Sequence, residues 1–156
     1  MRLQVADLAY TYEGRTPTRA LDGVRLDVAD NEFLAIVGPV GCGKTTFVRI
    51  VAGFLRPTRG TAVWDGREVS GPTPERGYVF QEEAIFPWMT VRDNLAFGLL
   101  AQGVEASERE KIVAGLVTLI GLEGYEGAYP KELSGGMSKM VEVARVLATD
   151  PAILLL

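Results

Sequence analysis

The sequence contains no histidine, a single cysteine and no long apolar segment. Any reaction that needs an imidazole base must therefore obtain it from outside these 156 residues. The lone thiol, Cys42, cannot form a disulfide within the chain, which excludes a disulfide-stapled secreted scaffold. No run approaches the roughly 18 apolar residues that a membrane span needs, and the N-terminus has no signal-peptide core. We therefore expect a cytoplasmic protein, held at a membrane only through a partner.

Basic residues are also few, since 16 Lys and Arg stand against 20 Asp and Glu, for a net charge of −4. This balance argues against a dedicated nucleic-acid binder, which normally presents a basic face. It leaves room for a nucleotide ligand, because a phosphate site needs only local positive potential. With 47% apolar and 23% charged residues, the composition is that of a globular domain and excludes a disordered or collagen-like chain.

The apolar pattern predicts alternating strands and helices. Strands are expected at 3–8, 24–28, 61–64 and 77–80, with an Asp65-Gly66 hairpin turn after the third. The continuous apolar run at 33–37 predicts a strand buried on both faces. Helices are expected at 47–51, ended by Gly53, and at 112–120 and 137–149, with a last strand from Ile153; Thr90 with Asp93 and Ser107 with Glu110 read as capping boxes.

A glycine-rich loop follows the predicted strand at 33–37 and precedes a predicted helix. It matches the phosphate-loop pattern of glycine, four residues, glycine, lysine and a hydroxyl residue. Such glycines let backbone N–H groups surround an anion at a helix N-terminus. The pattern predicts that Lys44 reaches the β- and γ-phosphates and that the Thr45 hydroxyl binds Mg²⁺. The loop consists of Gly38, Pro39, Val40, Gly41, Cys42, Gly43, Lys44 and Thr45.

A second loop, Leu133-Ser134-Gly135-Gly136-Met137, opens the last predicted helix. The serine supplies a hydroxyl, and the two glycines leave backbone N–H groups bare at the positive end of the helix. Taken alone, the loop is more typical of an ordinary capped helix start.

The segments GPVGCGKTT, VFQEEAIFPWMTVRDNLAFGL, LSGGM and VARVLATDPAILLL occur in this order. Together they resemble the ATP-binding subunit of ABC transporters, and the second segment resembles the nitrate/sulfonate/taurine import branch. The resemblance covers essentially the whole chain. It implies an α/β fold, the N-terminal part of a P-loop ATPase domain with a small antiparallel β region and a helical subdomain. We expect one partial domain over 1–156, with an ATPase core at about 1–81 and 137–156 and the helical subdomain at about 82–136.

The resemblance also implies roles for individual residues. Gly38 to Thr45, with Thr46, would bind ATP, and Tyr12 would stack on the adenine, although a tyrosine packed on the sheet edge is the alternative. Gln81 would act in catalysis and, with Thr45, at the Mg²⁺ ion. The signature loop would press on the γ-phosphate held by an opposite subunit; it comprises Ser134, Gly135, Gly136 and Met137.

The implied activity is ATP hydrolysis that powers solute import, with ATP and Mg²⁺ as cofactors. The implied partners are a second ATP-binding subunit in a head-to-tail dimer, transmembrane permease subunits, and a periplasmic or extracellular solute-binding protein, without nucleic acid. The location would be the cytoplasmic face of the membrane, through the permease. The apolar run at 85–89 would line a groove for a permease helix or belong to the subdomain core.

The chain departs from this pattern in three places. Val40 replaces the usual serine, and Ser138-Lys139-Met140 stands where the family favours an Arg-Gln-Arg-like run. The sequence ends at Leu156, where the resemblance places the Walker B aspartate and glutamate and, later, the switch histidine. We therefore interpret Leu156 as a truncation point and expect no ATP turnover by this chain alone. A non-catalytic nucleotide-binding fragment is one alternative. An ABC-type ATPase of DNA repair is another, disfavoured because no heptad array separates the two loops.

Overall fold

The computed structural model describes residues 2–82 and 84–156. The chain divides into two compact units, Met1–Thr73 and Pro74–Leu156. Within these residues each unit has a sheet of its own, with four strands in the first and two in the second.

The first unit contains a four-stranded antiparallel sheet in the order β2-β1-β3-β4. Its strands are β1 (Leu3–Tyr12), β2 (Thr18–Val28), β3 (Arg59–Trp64) and β4 (Arg67–Glu68). Leu3 lies opposite Val28 on one side and Trp64 on the other, and all three side chains are buried. The predicted turn joins β3 to β4, with positive φ angles at Asp65 and Gly66. The small antiparallel β region expected from the sequence is thus present.

Helix α1 (Lys44–Ala52) follows the first glycine-rich loop and contacts β2. It buries Phe47, Ile50 and Val51, which recur at helical spacing. The helix ends at Gly53, which adopts a left-handed conformation with φ 89°. A Cβ at Gly53 would lie 2.3 Å from the backbone of Gly71, so glycine is also required there by packing.

The strand predicted at 33–37 is wrong in this structure. None of the described sheets includes this run, and Phe33 and Val37 are 92% and 88% exposed. A strand buried on both faces needs a hydrogen-bonded neighbour along its backbone, and a run of apolar residues does not provide one.

In the described part of the second unit, a short parallel pair of strands is combined with three helices. The strands are β5 (Arg76–Tyr78) and β6 (Ile153–Leu155). The helices are α2 (Val91–Ala101), α3 (Ala106–Leu119) and α4 (Gly135–Leu147), with a 3-10 turn at Pro130–Glu132 before α4. Their apolar faces meet in one core, which includes Leu95, Leu99, Val113, Val117, Val141 and Ala144. Over residues 2–82 and 84–156, no helix combines the length and the apolar character needed to cross a membrane.

The two predicted capping boxes had different outcomes. The box at the start of α2 is confirmed, because the Thr90 and Asp93 side chains each accept a backbone N–H from the other residue. The box at Ser107 and Glu110 is wrong. Helix α3 begins earlier, where the Glu105 carboxylate accepts both the backbone N–H and the hydroxyl of Ser107. An acidic side chain at the N-cap also interacts favourably with the helix dipole, which makes it a competent substitute for serine.

Candidate functional site

The first glycine-rich loop holds the lysine amine over its own backbone. Lys44 Nζ donates to the carbonyl oxygens of Gly38 at 2.7 Å and Pro39 at 2.9 Å. The Cys42 sulfur lies 3.6 Å from the same amine. The cation is therefore fixed within the loop, at the start of a helix.

Two glycines of this loop have the left-handed backbone that an L side chain rarely adopts. Gly41 has φ 82° and Gly43 has φ 97°. A Cβ at Gly43 would lie 2.3 Å from the carbonyl oxygen of Ala20 on β2, whereas one at Gly41 would meet nothing within 4 Å. The sheet therefore fixes the position of the loop through Gly43, and Gly41 serves only to turn the backbone.

The start of α1 has the character of an anion site. Gly43 is the N-cap and has no side chain to accept the first-turn N–H groups, and the helix ladder begins with Phe47 N–H donating to Gly43 at 2.9 Å. Uncapped N–H groups and the Lys44 amine together form a donor set without a carboxylate in the first helical turn. Thr45, an exposed residue with a hydroxyl group, lies in that same turn. These donors fit a polyphosphate, and the hydroxyl fits the ligand preference of Mg²⁺. Val40 is fully exposed, so its replacement of serine leaves the backbone donors unchanged.

Tyr12 is joined to the phosphate-loop helix by a contact that sequence reasoning missed. Its hydroxyl lies 3.0 Å from the Thr46 hydroxyl, and its ring packs edge-on against Tyr10 at 4.8 Å. Thr46 itself is buried. The Tyr12 residue remains 38% exposed. No sequence signal pairs a strand tyrosine with a threonine in a distant helix.

In the second unit, the backbone beside Gln81 is held by charged residues of α4. The Phe80 N–H donates to the Glu142 carboxylate at 3.1 Å, and Lys139 Nζ donates to the Phe80 carbonyl at 2.5 Å. Lys139 and Glu142 also pair with each other at 3.0 Å. Gln81 is exposed and directly follows this anchored residue. The glutamate was missed at the sequence level, although a charge in the apolar register of α4 is a usable signal.

Beyond Gln81, the chain is anchored by Arg145 and Asn94. Arg145 donates to the Ala84 carbonyl at 2.7 Å and lies over the Phe86 ring, 4.7 Å from its centroid. Burial lowers the pKa of its guanidinium, and the Glu142 carboxylate opposes that shift. Asn94 is fully buried, and its amide bonds the backbone of Phe86, Met89 and Thr90. The polar side chains of α2 and α4 thus shape the segment after Gln81.

The second glycine-rich loop forms the start of α4. Ser134 is the N-cap, and its hydroxyl accepts the Met137 N–H at 3.3 Å. Gly135 and Gly136 are exposed, and neither is among the residues with positive φ. A Cβ at Gly135 would meet nothing within 4 Å, and one at Gly136 would meet only the Ser134 hydroxyl at 4.0 Å. Neither the backbone nor the packing of this chain therefore requires glycine at these positions.

The predicted residues thus fall into two groups. Tyr12, Thr46 and the loop from Gly38 to Thr45 belong to the first unit, joined through α1. Gln81 and the loop from Ser134 to Met137 belong to the second unit, joined through α4.

Comparison with known families gives a match over residues 21–156 to the family described as ABC transporter. An uncharacterized ABC transporter ATP-binding protein of Methanocaldococcus jannaschii is 46% identical over all of this chain and 59% of its own length. A taurine import ATP-binding protein of Roseobacter denitrificans is 46% identical over 88% of this chain and 52% of its own. A nitrate import ATP-binding protein of Synechocystis is 43% identical over all of this chain and 59% of its own. The chain thus spans little more than half the length of these relatives.

Among solved structures, a dimeric ATP-binding cassette in a post-hydrolysis state, bound to ADP and Pi, is similar to this chain. The TM-score is 0.87 at 28% identity, over 97% of this chain and 72% of the cassette. The predicted P-loop ATPase fold is confirmed by this likeness, and the resemblance to taurine and nitrate import proteins is confirmed by the relatives.

Proposed function

Because the chain belongs to the ABC transporter family, we propose that it binds Mg–ATP and is part of a subunit whose ATP hydrolysis powers solute import. The observation that carries the proposal is the Lys44 amine, fixed over the phosphate loop at an uncapped helix start. The relatives named for taurine and nitrate import support a small anionic or zwitterionic solute of that class. The test is binding of ATP to the chain by calorimetry, with and without Mg²⁺.

In this proposal the chain's residues bind and position the nucleotide. Lys44 would exchange its bonds to the loop carbonyls for β- and γ-phosphate oxygens, and the N–H groups of the first turn of α1 would hold the same phosphates. Tyr12 would stack on the adenine. When bound, Mg²⁺ would offset phosphate charge, with Thr45 and Gln81 as its protein ligands. In hydrolysis a water oxygen bonds to the γ-phosphorus while the bond to the β–γ bridging oxygen breaks, giving ADP and Pi.

The proposed assembly is a head-to-tail dimer in which the loop from Ser134 to Met137 meets the nucleotide of the opposite subunit. The two loop glycines support this role. Glycine in a helix costs about 0.5–1 kcal/mol relative to alanine, and none of the residues that the structure describes occupies the space above Gly135. Close approach by another molecule is a physical reason to keep glycine there.

Replacing Gly135 by alanine is expected to raise the melting temperature slightly and to lower ATP turnover of the assembled subunit by about tenfold. The matched control is Gly115→Ala in α3, another helical glycine with nothing within 4 Å. It should give the same small stabilisation with wild-type turnover. Equal turnover in both variants would contradict the signature-loop role, whatever their stabilities.

The proposed membrane partners are permease subunits, which would place the protein peripherally at the cytoplasmic face, in a system with a periplasmic or extracellular solute-binding protein. The residues of the apolar run at 85–89 differ in their exposure to solvent. Ile85 packs in the helical core, whereas Trp88 is 70% exposed. We propose that Trp88 and the adjoining exposed Pro87 contact a cytoplasmic permease helix.

A cysteine at position 88 is expected to crosslink to the permease in the assembled transporter. The background variant is Cys42→Ser, because the native thiol is exposed. The matched control is a cysteine at Leu119, which is also 70% exposed but lies on α3. A crosslink from position 119 and none from 88 in an intact complex would place the permease on another face.

A further inference from the structure

Three charged residues of α4 recur at a spacing of three: Lys139, Glu142 and Arg145. All three bond the backbone of the segment around Gln81, at Phe80 or Ala84. Residues three apart lie on neighbouring positions of a helix surface. One side of the helix that begins at the second glycine-rich loop is therefore dedicated to holding this segment.

The bonds from α4 to this segment begin at the residue where the strand pairing ends. Val79 N–H still donates to Leu155, in continuation of the β5–β6 ladder. At Phe80 the backbone N–H and carbonyl turn instead to Glu142 and Lys139. Phe80 is thus the junction between the sheet and the exposed Gln81.

The pair is unusual because the carboxylate has no access to solvent. Glu142 is 0% exposed, and its two oxygens are occupied by Phe80 N–H and Lys139 Nζ. Only the carboxylate of this pair is buried, because the Lys139 side chain is 45% exposed. Replacing buried ionic groups by apolar residues is often neutral or stabilising, so stability alone is a weak reason to keep a carboxylate here. With both oxygens bonded, the buried carboxylate does define a single geometry for the groups that it touches.

We propose that Lys139 and Glu142 are positioning residues that couple Gln81 to the loop from Ser134 to Met137. A displacement of Gln81 moves the adjoining Phe80. Because Lys139 and Glu142 bond the backbone of Phe80, this movement displaces α4, whose first residues belong to the second glycine-rich loop. The inference rests on the proposed role of Gln81 at the nucleotide. It also gives a function to Lys139, which departs from the family pattern.

The test uses the double variant Lys139→Gln with Glu142→Ala in the intact subunit, because removing both charges leaves no unpaired buried ion. Amide hydrogen exchange at Phe80 is expected to accelerate by about tenfold or more, since its N–H loses its acceptor. Turnover at saturating ATP is expected to fall about tenfold, while the Kd for ATP stays within about twofold. The single variant Glu142→Gln keeps an acceptor oxygen for Phe80 and should restore much of the exchange protection.

The matched control is Glu108→Ala with Lys111→Gln, which removes a pair of the same spacing on the exposed surface of α3. It should leave exchange at Phe80, ATP affinity and turnover unchanged. Wild-type turnover in the Lys139 and Glu142 double variant, or unchanged exchange at Phe80, would overturn the inference while the proposed function stands. Failure of the wild-type subunit to bind ATP would instead overturn the proposed function, and the coupling with it.

Discussion

Lys44→Ala is expected to weaken ATP binding by roughly ten- to a hundredfold, because charge-assisted hydrogen bonds contribute about 1.5–3 kcal/mol each. The amine already lies over the loop, bonded to the carbonyls of Gly38 and Pro39. Phosphate binding therefore exchanges two neutral acceptors for charged ones and requires no large search by the side chain. Calorimetric titration of wild type and variant with Mg–ATP measures the difference.

A control must separate loss of the contact from loss of net charge. Lys131→Ala removes one positive charge from an exposed residue of the 3-10 turn in the other unit, and it should bind ATP like the wild type. Melting temperatures without nucleotide show whether the loop itself has been damaged. Equal affinity of wild type and Lys44→Ala would refute the assignment of this loop as the nucleotide site.

Local signals in the sequence were sufficient for several parts of the fold that local chemistry determines. The stop at Gly53, the Asp65-Gly66 turn and the Thr90–Asp93 box each depend on residues within one turn of each other, and all were predicted. The phosphate-loop sequence likewise predicted that a helix follows the loop, and the structure begins that helix at Lys44, earlier than the expected 47–51. Such features follow from backbone preferences and short-range hydrogen bonds, which a single sequence contains.

The Ser107–Glu110 box was wrong for a local reason, because Glu105 caps the helix instead. The other features that were missed or wrong depend on partners distant in sequence. The apolar run at 33–37 has strand composition, but the described sheets give it no hydrogen-bonded neighbour. The Tyr12–Thr46 contact and the bonds from Glu142 to Phe80 likewise join residues on different elements. Burying a carboxylate without a hydrogen-bond partner is costly, so a partner is expected, but only the tertiary structure shows which backbone group provides it.

Gly43→Ala is expected to have the largest effect on stability, lowering the free energy of unfolding by about 2–5 kcal/mol. Two costs add at this position. The left-handed backbone at φ 97° is strained for alanine, and the new Cβ would lie 2.3 Å from the Ala20 carbonyl oxygen on β2. Either the loop or the strand must move, and a displaced loop no longer presents Lys44 to phosphate. Urea unfolding without nucleotide measures the first effect, and ATP titration measures the second.

The neighbouring Gly41→Ala variant separates these two costs. Gly41 has a similar φ of 82° in the same loop, but its Cβ would enter open space. This variant should show only the conformational strain, about 1–2 kcal/mol, and retain the packing of the loop on β2. The difference between the two variants therefore isolates the contact between the phosphate loop and the sheet. If both alanine variants lose the same stability, the sheet does not position this loop, and Lys44 must be held at the start of α1 by contacts other than the approach of Gly43 to β2.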